Sequence, residues 1–305
     1  MPIVMDSPSF QLARDLVNDR YSTDLSGLAK TYLIENLVAN GVETNLGNLT
    51  TNSSGATFVR DTGKIWVIHN GTSIIDEYDP SDLTTVIRTV ALGGSLTDTE
   101  GVEWMGYNAD DDMYEFAVAS ENGGNYYVII FQITLAQLTS TAAGQTFDPT
   151  QTLTVAPAEP DGNKGAEGVA FDRFNNIFYV VGEGSLTTPR ELFSFTRPAD
   201  RVTTPLTYVS DFTVTDHDAE TLFDSWGTHG DLFDLSDIHF HEGTGHLIIL
   251  SHTGTEIVQL NLTTGTIVSN FPLSGNQWEG ICLVGDDVIV IAEAYEYQLY
   301  DYVAP

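Results

Sequence analysis

Short apolar strands alternate with polar turns along most of the chain, and one pattern recurs five times. Each copy opens with a small or acidic residue followed by Gly or Asp, and continues as a strand of alternating apolar residues. The copies open at Ser54-Gly55, Glu100-Gly101, Glu167-Gly168, Ser236-Asp237 and Glu279-Gly280. The pattern therefore predicts a repeat protein built from strands.

Further strands follow each copy at similar distances. A turn and two apolar strands follow in all five copies, and a fourth strand follows in four of them. Ser54 to Asn70, Glu167 to Glu183 and Ser236 to His252 are each 16 residues apart. Four antiparallel strands per repeat are typical of a propeller blade. The sequence thus predicts an all-β fold, a five-bladed β-propeller, with six blades as the alternative.

The fifth repeat ends after its third strand, so it needs a strand from elsewhere. We expect the segment 42–51 to supply it and to close the ring, which hides the sheet edges. The predicted domains are then a propeller over 42–305 and a partly helical arm over 1–41. The arm either packs on the propeller or docks it to a partner. The insertions at 134–165 and 212–234 are predicted to be loops between blades.

A candidate site follows from this architecture, because the first strand of each blade lines the central channel. The residues that open the first strands should meet at one channel mouth: Ser54, Glu100, Glu167, Ser236, Asp237 and Glu279. The second strands run antiparallel to the first, so the residues that close them should surround the same mouth: Asn70, Glu121, Glu183, His252 and Glu293.

So many carboxylates repel one another and must be hydrated, protonated or bound to a cation. Oxygen ligands favour a hard cation, calcium before magnesium, and His252 is a tolerable exception. We therefore predict metal ligation by the acidic residues and His252, with Ser54, Asn70 and Ser236 as further residues of the mouth. The alternative is a hydrated ring whose Glu-Gly pairs cap strand ends. A zinc site at His239 and His241, which share a strand face, is a weaker alternative.

Composition excludes several classes of function. The chain has 43 Asp and Glu against 11 Lys and Arg, a formal net charge of −32, which disfavours nucleic-acid and membrane-surface partners. The single cysteine, Cys282, excludes an internal disulfide. No secretion signal is expected at the N-terminus. No nucleophile elbow, phosphate loop or dinucleotide motif occurs, so no catalytic residue is predicted.

The repeats resemble the SdiA-regulated β-propeller family. The segment DLSDIHFHEGTGHLIILSHTG, together with GAEGVAFDRFNNIFYVVGEG and SSGATFVRDTGKIWVIHNG, fits that family's blade pattern, and the likeness extends over about 42–305. Esterase-like phytase propellers share the Glu-Gly motif. The resemblance implies a five- or six-bladed propeller outside the cytoplasm, with a divalent cation at the channel face and no firmly assigned activity.

These observations predict a non-catalytic binding or structural module with a calcium site at the channel mouth. It would bind a glycan or small ligand there, or a protein through the arm. An acidic, lysine-poor chain with an arm is expected of a phage virion component, and the competing explanation is an exported surface protein, so the expected location is extracellular or on a virion. The alternative function is a calcium-dependent hydrolase, either a phytase-like phosphoesterase or a lactonase.

Overall fold

The structure, a computed structural model, describes residues 32–47, 52–94, 96, 98–121, 126–142, 144–156, 165–182, 191–198, 208–209, 212–224, 234–275, 277–293 and 296–304. Most of the predicted arm lies outside these residues. Its described part, 32–41, contains a 3-10 turn at Ile34–Asn36 and the beginning of the strand Leu37–Asn45. Two short helices follow later, α1 at Leu135–Leu138 and α2 at Ala219–Asp224. No helix in the described part of the chain is long and apolar enough to cross a membrane.

Strands make up the rest of the regular structure. In chain order they are β1 Leu37–Asn45, β2 Asn52–Val59, β3 Lys64–Asn70, β4 Ile74–Tyr78, β5 Arg88–Leu92, β6 Thr99–Asn108, β7 Met113–Ser120, β8 Tyr126–Ile133, β9 Gln145–Phe147, β10 Pro149–Ala156, β11 Ala166–Asp172, β12 Ile177–Gly182, β13 Glu191–Thr196, β14 Tyr208–Val209, β15 Thr215–Asp216, β16 Leu235–His241, β17 His246–Ser251, β18 Glu256–Asn261, β19 Thr266–Pro272, β20 Trp278–Val284, β21 Asp287–Ala292 and β22 Glu296–Tyr302.

The strands form five sheets, which are the five predicted blades. Their strand orders are β2-β3-β4-β5-β9 in blade 1, β6-β7-β8-β10-β14 in blade 2, β11-β12-β13-β15 in blade 3, β16-β17-β18-β19 in blade 4 and β20-β21-β22-β1 in blade 5. The first strand of each blade contacts the first strands of its two neighbours, so β2, β6, β11, β16 and β20 form a closed inner ring. The five-bladed propeller is therefore confirmed.

An N-terminal strand closes the ring, as predicted, but it starts earlier than 42. β1 pairs antiparallel with β22 from Leu37 opposite Tyr302 to Asn45 opposite Glu296, with a register shift between Asn40 and Thr44. Part of the reason for predicting a partly helical arm is the helical spacing of Tyr32, Leu33 and Leu37, but this spacing has another origin. Tyr32, Ile34 and Leu37 are buried in the apolar cluster between blades 4 and 5.

The Gln259 side chain fixes the segment before β1. Its amide nitrogen donates to the Tyr32 carbonyl at 2.9 Å, and its amide oxygen accepts from the Ile34 N–H at 3.2 Å. The Tyr32 ring stacks between His241, 4.2 Å away, and Tyr302, 4.6 Å away. One polar side chain of blade 4 thus satisfies two backbone groups of the closing segment, which would otherwise be buried without partners.

The two insertions are not simple loops, contrary to prediction. The first contains α1 and β9, and β9 adds a fifth, parallel strand to blade 1. The second insertion contains β15, which is the fourth strand of blade 3, while the segment before it adds parallel strand β14 to blade 2. In both cases the chain between the third and fourth strands of one blade returns to cover the outer edge of the preceding blade.

Apolar clusters between adjacent blades form the core. Trp66, Trp104, Phe116, Phe131 and Phe147 pack between blades 1 and 2, and four other clusters fill the remaining interfaces, including the one that closes the ring. Each blade is therefore held mainly by its neighbours, as expected for stacked repeats.

The Gly of the repeated motif is explained by the crowding of the inner ring. A Cβ on Gly101 would lie 2.8 Å from the Glu167 carbonyl oxygen and 2.8 Å from the Gly168 Cα, and a Cβ on Gly55 would lie 2.5 Å from the Glu100 carbonyl oxygen. Backbones of neighbouring blades meet here, so a side chain does not fit. Blade 4 carries Asp237 at this position.

Candidate functional site

A cup of about 410 Å³ opens where the first strands begin and the second strands end. The strand register places these ends together, since Asn52 faces Asn70 in blade 1 and Leu235 faces Ser251 in blade 4. The residues that line the cup come from all five blades: Asn52, Ser54, Asn70, Asp98, Glu100, Glu121, Glu167, Asp234, Ser236, His252, Glu279 and Glu293.

Most of the residues predicted from the repeats line this cup. The structure brings together Ser54, Asn70, Glu100, Glu121, Glu167, Ser236, His252, Glu279 and Glu293. Glu183 lies outside the described residues. Asp237 does not line the cup and is buried below it, with 1% exposure.

Sequence reasoning missed three lining residues, namely Asn52, Asp98 and Asp234. Each stands two positions before the residue that opens the repeat motif. Extending the alignment of the repeats by two residues toward the N-terminus would have found all three. At this position Asp98 has a left-handed backbone, with φ of 49°, which turns the chain into the inner strand.

Burial makes two of the cup carboxyls weak acids. Glu100 is 8% exposed, and its burial raises its pKa to about 8, with a further increase from Glu121 and a partial offset by the Ser54 hydroxyl. Burial likewise raises the pKa of Glu279 to about 8, although the adjacent His252 opposes the rise. Without a cation, ionising these groups at neutral pH is therefore costly.

His252 bridges two acidic residues of the cup. Its Nδ1 lies 3.3 Å from an Asp234 carboxylate oxygen and 3.1 Å from a Glu279 carboxylate oxygen. The hydrogen bond with Asp234 is the main cause of the raised pKa of His252, and the Glu279 charge adds to it. No Lys or Arg is among the described residues that line the cup, so His252 is its one basic side chain there.

The opposite wall of the cup is formed by Asp98, Glu100, Glu121 and Glu167, and its described residues include no basic side chain. Burial and the Asp98 charge raise the pKa of Glu121, and a hydrogen bond that involves Glu167 offsets part of the rise. The two walls therefore differ, because one already holds an imidazole and the other presents only oxygen atoms.

Asp237 blocks the channel directly under the cup. Its carboxylate accepts the N–H of Ile238 at 2.8 Å and the N–H of Ile281, in the next blade, at 2.8 Å. A third backbone hydrogen bond comes from Ala56 of blade 1. Asp237 thus joins blades 4, 5 and 1 at the axis, a structural arrangement that the repeat alignment did not anticipate. Burial raises the pKa of this carboxyl.

A second polar layer lies two residues further along the inner strands. Glu103 is close to Thr57 Oγ1, at 3.5 Å, and to His239 Nδ1, at 3.8 Å, so side chains of three blades converge on the axis. Burial raises the pKa of Glu103 to about 8 and lowers that of His239 to about 3. The His241 ring stacks on Tyr32, and its Nδ1 lies 2.9 Å from Thr244 Oγ1.

The other end of the channel is closed by an ion-pair cluster. The Glu242 Oε1 atom lies 2.6 Å from Arg60 Nη1 and 2.9 Å from Arg173 Nε. The two mouths therefore differ sharply: one is an acidic cup with no arginine among its described residues, and the other is bridged by two arginines.

Comparison with known protein families identifies the family of this chain. The family model described as SdiA-regulated matches residues 34–264. This chain belongs to the SdiA-regulated family. The resemblance inferred from the repeats is thereby confirmed. No curated protein matches the sequence of this SdiA-regulated propeller.

Solved structures match at low identity. The PQQ-bound aldose sugar dehydrogenase of Streptomyces coelicolor is 13% identical, with 87% of this chain and 98% of that chain covered and a TM-score of 0.47. Hydrazine synthase of Kuenenia stuttgartiensis is 9% identical, with coverage of 83% and 84% and a TM-score of 0.47. A streptogramin B lyase is 17% identical, with coverage of 87% and 73% and a TM-score of 0.37.

Proposed function

We propose that this SdiA-regulated propeller is a non-catalytic binding module whose cup holds a calcium ion. The supporting observation is the composition of the cup. Seven of its described lining residues are Asp or Glu, none is Lys or Arg, and the only base among them is His252. A bound cation removes the cost of ionising the buried carboxyls, because its attraction offsets their desolvation and mutual repulsion.

The donor atoms suit calcium better than a transition metal. Carboxylate, amide and hydroxyl oxygens line the cup, and these are the ligands of hard cations. Among the described residues, the structure contains no group of three His, Cys, Asp or Glu side chains that are close enough together to hold an ion. Binding therefore requires carboxylates to move toward the ion. Calcium accepts six to eight oxygens in flexible geometry, whereas magnesium demands a near-ideal octahedron, so calcium is the better candidate.

The acidic wall of blades 2 and 3 is the preferred place for the ion. Glu100, Glu121 and Glu167 lie there with Asp98, and Glu100 and Glu121 have carboxyl groups whose raised pKa values reflect burial near other acids. On the other wall, a protonated His252 already offsets part of the negative charge of Asp234 and Glu279. The ion would then present its remaining coordination positions to a glycan or another small ligand at the cup.

A phosphoesterase is less well supported than a binding module. Phosphate sites generally use Arg or Lys to hold the anion, and the described lining of the cup offers neither. A lactonase needs only a cation and an activated water. Hydrolysis of a chromogenic phosphate ester or lactone that disappears with chelator would favour an enzyme, while inactivity toward both substrates supports a binding module.

Thermal unfolding tests the proposed cation site. The midpoint is measured in excess chelator and again in excess calcium, for the wild type and Glu167→Gln, with Asp110→Asn as a control because Asp110 is exposed in a hairpin turn at the far end of the strands. A ligand at about a hundredfold excess over its Kd stabilises the folded state by about 2.7 kcal/mol. We expect calcium to raise the midpoint of the wild type and the control, and to raise that of Glu167→Gln clearly less. An equal response in all three would contradict the site.

A further inference from the structure

Blade 1 differs from the other blades at the cup. Its described lining residues are Asn52, Ser54 and Asn70, and none of them is acidic. Asn70 closes the second strand, at the position that Glu121, His252 and Glu293 occupy in blades 2, 4 and 5. Hydrolysis of the Asn70 amide to a carboxylate would therefore add an acid to the one blade that lacks it.

The local chain suits that reaction. Asn70 ends β3 and is followed by Gly71, which begins the three-residue connection to β4. Gly71 has a φ of 75°, and both Gly71 and Thr72 are exposed. Glycine carries no Cβ to hinder attack by its own nitrogen, and water reaches the exposed turn. No hydrogen bond within the described part of the chain holds the Asn70 side chain.

We propose that Asn70 is a site of spontaneous deamidation that regulates the cation affinity of the cup. The Gly71 main-chain nitrogen attacks Cγ of Asn70, so that a C–N bond forms and ammonia leaves with the proton. The resulting succinimide adds one water molecule, which opens the ring to aspartate or isoaspartate. The net change is hydrolysis of one amide, and water is the only co-reactant.

A second Asn-Gly pair provides an internal comparison. Asn40 precedes Gly41 in β1, where its amide nitrogen donates to an Asp301 carboxylate oxygen at 3.0 Å and its backbone pairs with Leu299. Asn70 is also strand-paired, opposite Asn52, but within the described residues its side chain has no such hydrogen bond. The side-chain hydrogen bond of Asn40 should therefore make it react more slowly than Asn70. The two pairs have the same sequence, so a difference between their rates would come from the fold.

The consequence for the cup rests on the proposed function. A new carboxylate in the lining of the cup raises the negative charge around a bound ion, and the affinity of calcium sites increases with the charge of their ligands. One added charge at about 8 Å in a water-like dielectric strengthens the binding of a divalent ion about fivefold. Deamidation would then act as a slow, irreversible increase in affinity.

The experiment has a chemical and a functional part. The full chain is incubated at mildly alkaline pH with chelator, digested with trypsin and analysed by mass spectrometry. Asn70 is the only asparagine in the tryptic peptide 65–88, so a gain of about 1 Da there reports replacement of its amide. Asn70→Gln is the control that keeps the amide but forms the ring far more slowly. Calcium affinity is measured for the wild type, Asn70→Asp and Asn70→Gln.

We expect Asn70 to gain mass faster than Asn40, which fragmentation distinguishes from the other four asparagines of tryptic peptide 31–60. We also expect Asn70→Asp to bind calcium about fivefold more tightly than Asn70→Gln. No mass gain at Asn70, or a rate no greater than that of Asn40, would overturn the modification. Equal affinity of Asn70→Asp and Asn70→Gln would overturn the regulation while the cation site stands. A wild type that binds no calcium would overturn both the proposed function and the regulation. The mass measurement would still decide whether Asn70 is deamidated.

Discussion

The buried carboxyl of Glu100 should make the metal-free protein less stable as pH rises. Its folded pKa is raised from 4.5 to about 8, so the folded state keeps a proton that the unfolded state has already lost. Stability from this group is fully present below the unfolded pKa and is lost as pH rises toward the folded pKa. Linkage gives a loss of about 2 kcal/mol between about pH 6 and about pH 8 from this one residue.

Replacing Glu100 with glutamine removes this titration while keeping the size of the side chain. We expect Glu100→Gln in excess chelator to lose about 2 kcal/mol less than the wild type over the same pH range, measured by urea unfolding. Urea is preferable to guanidinium because a salt would screen the charges of the cup. Asp110→Asn removes the same charge from an exposed turn and should follow the wild type. A Glu100→Gln protein with the pH dependence of the wild type would refute the reasoning.

Two further predictions concern the scaffold. Gly101→Ala should destabilise the propeller by about 2 kcal/mol or more, because the new methyl group would lie 2.8 Å from the Glu167 carbonyl oxygen of the next blade; an unchanged urea midpoint would show that the inner ring has room. Gln259→Leu should cost about 2 to 3 kcal/mol, since it leaves the Tyr32 carbonyl and the Ile34 N–H without their partner. Hydrogen exchange should then quicken at Ile34, and unchanged protection there would contradict the role given to Gln259.

Most of the fold could be predicted from the sequence because each repeat corresponds to one blade. The Glu-Gly motif could be recognised because the same crowding acts on every blade, so that Gly55, Gly101 and Gly168 meet similar neighbours. The same regularity located the cup, since residues at equivalent strand ends converge when the ring closes. The residues that line the cup also include those two positions before the motif, which are Asn52, Asp98 and Asp234.

Features that break the repeat could not be predicted in this way. Asp237 occupies a glycine position, and only the closed ring shows that its carboxylate meets N–H groups of blades 5 and 1. Strands β9 and β14 join the blade before their own, a pairing that no local pattern encodes. The start of β1 was misplaced because apolar residues that contact blades 4 and 5 resemble a helical face in sequence.

Direct measurement of calcium binding tests the central claim. Isothermal titration calorimetry of calcium into metal-free protein should give saturable binding for the wild type and for Asp110→Asn. Glu167→Gln and Glu100→Gln should bind at least about tenfold more weakly, because each loses a charged oxygen ligand from the acidic wall. Absence of binding to the wild type, or equal affinity in all four proteins, would contradict a cation site in the cup.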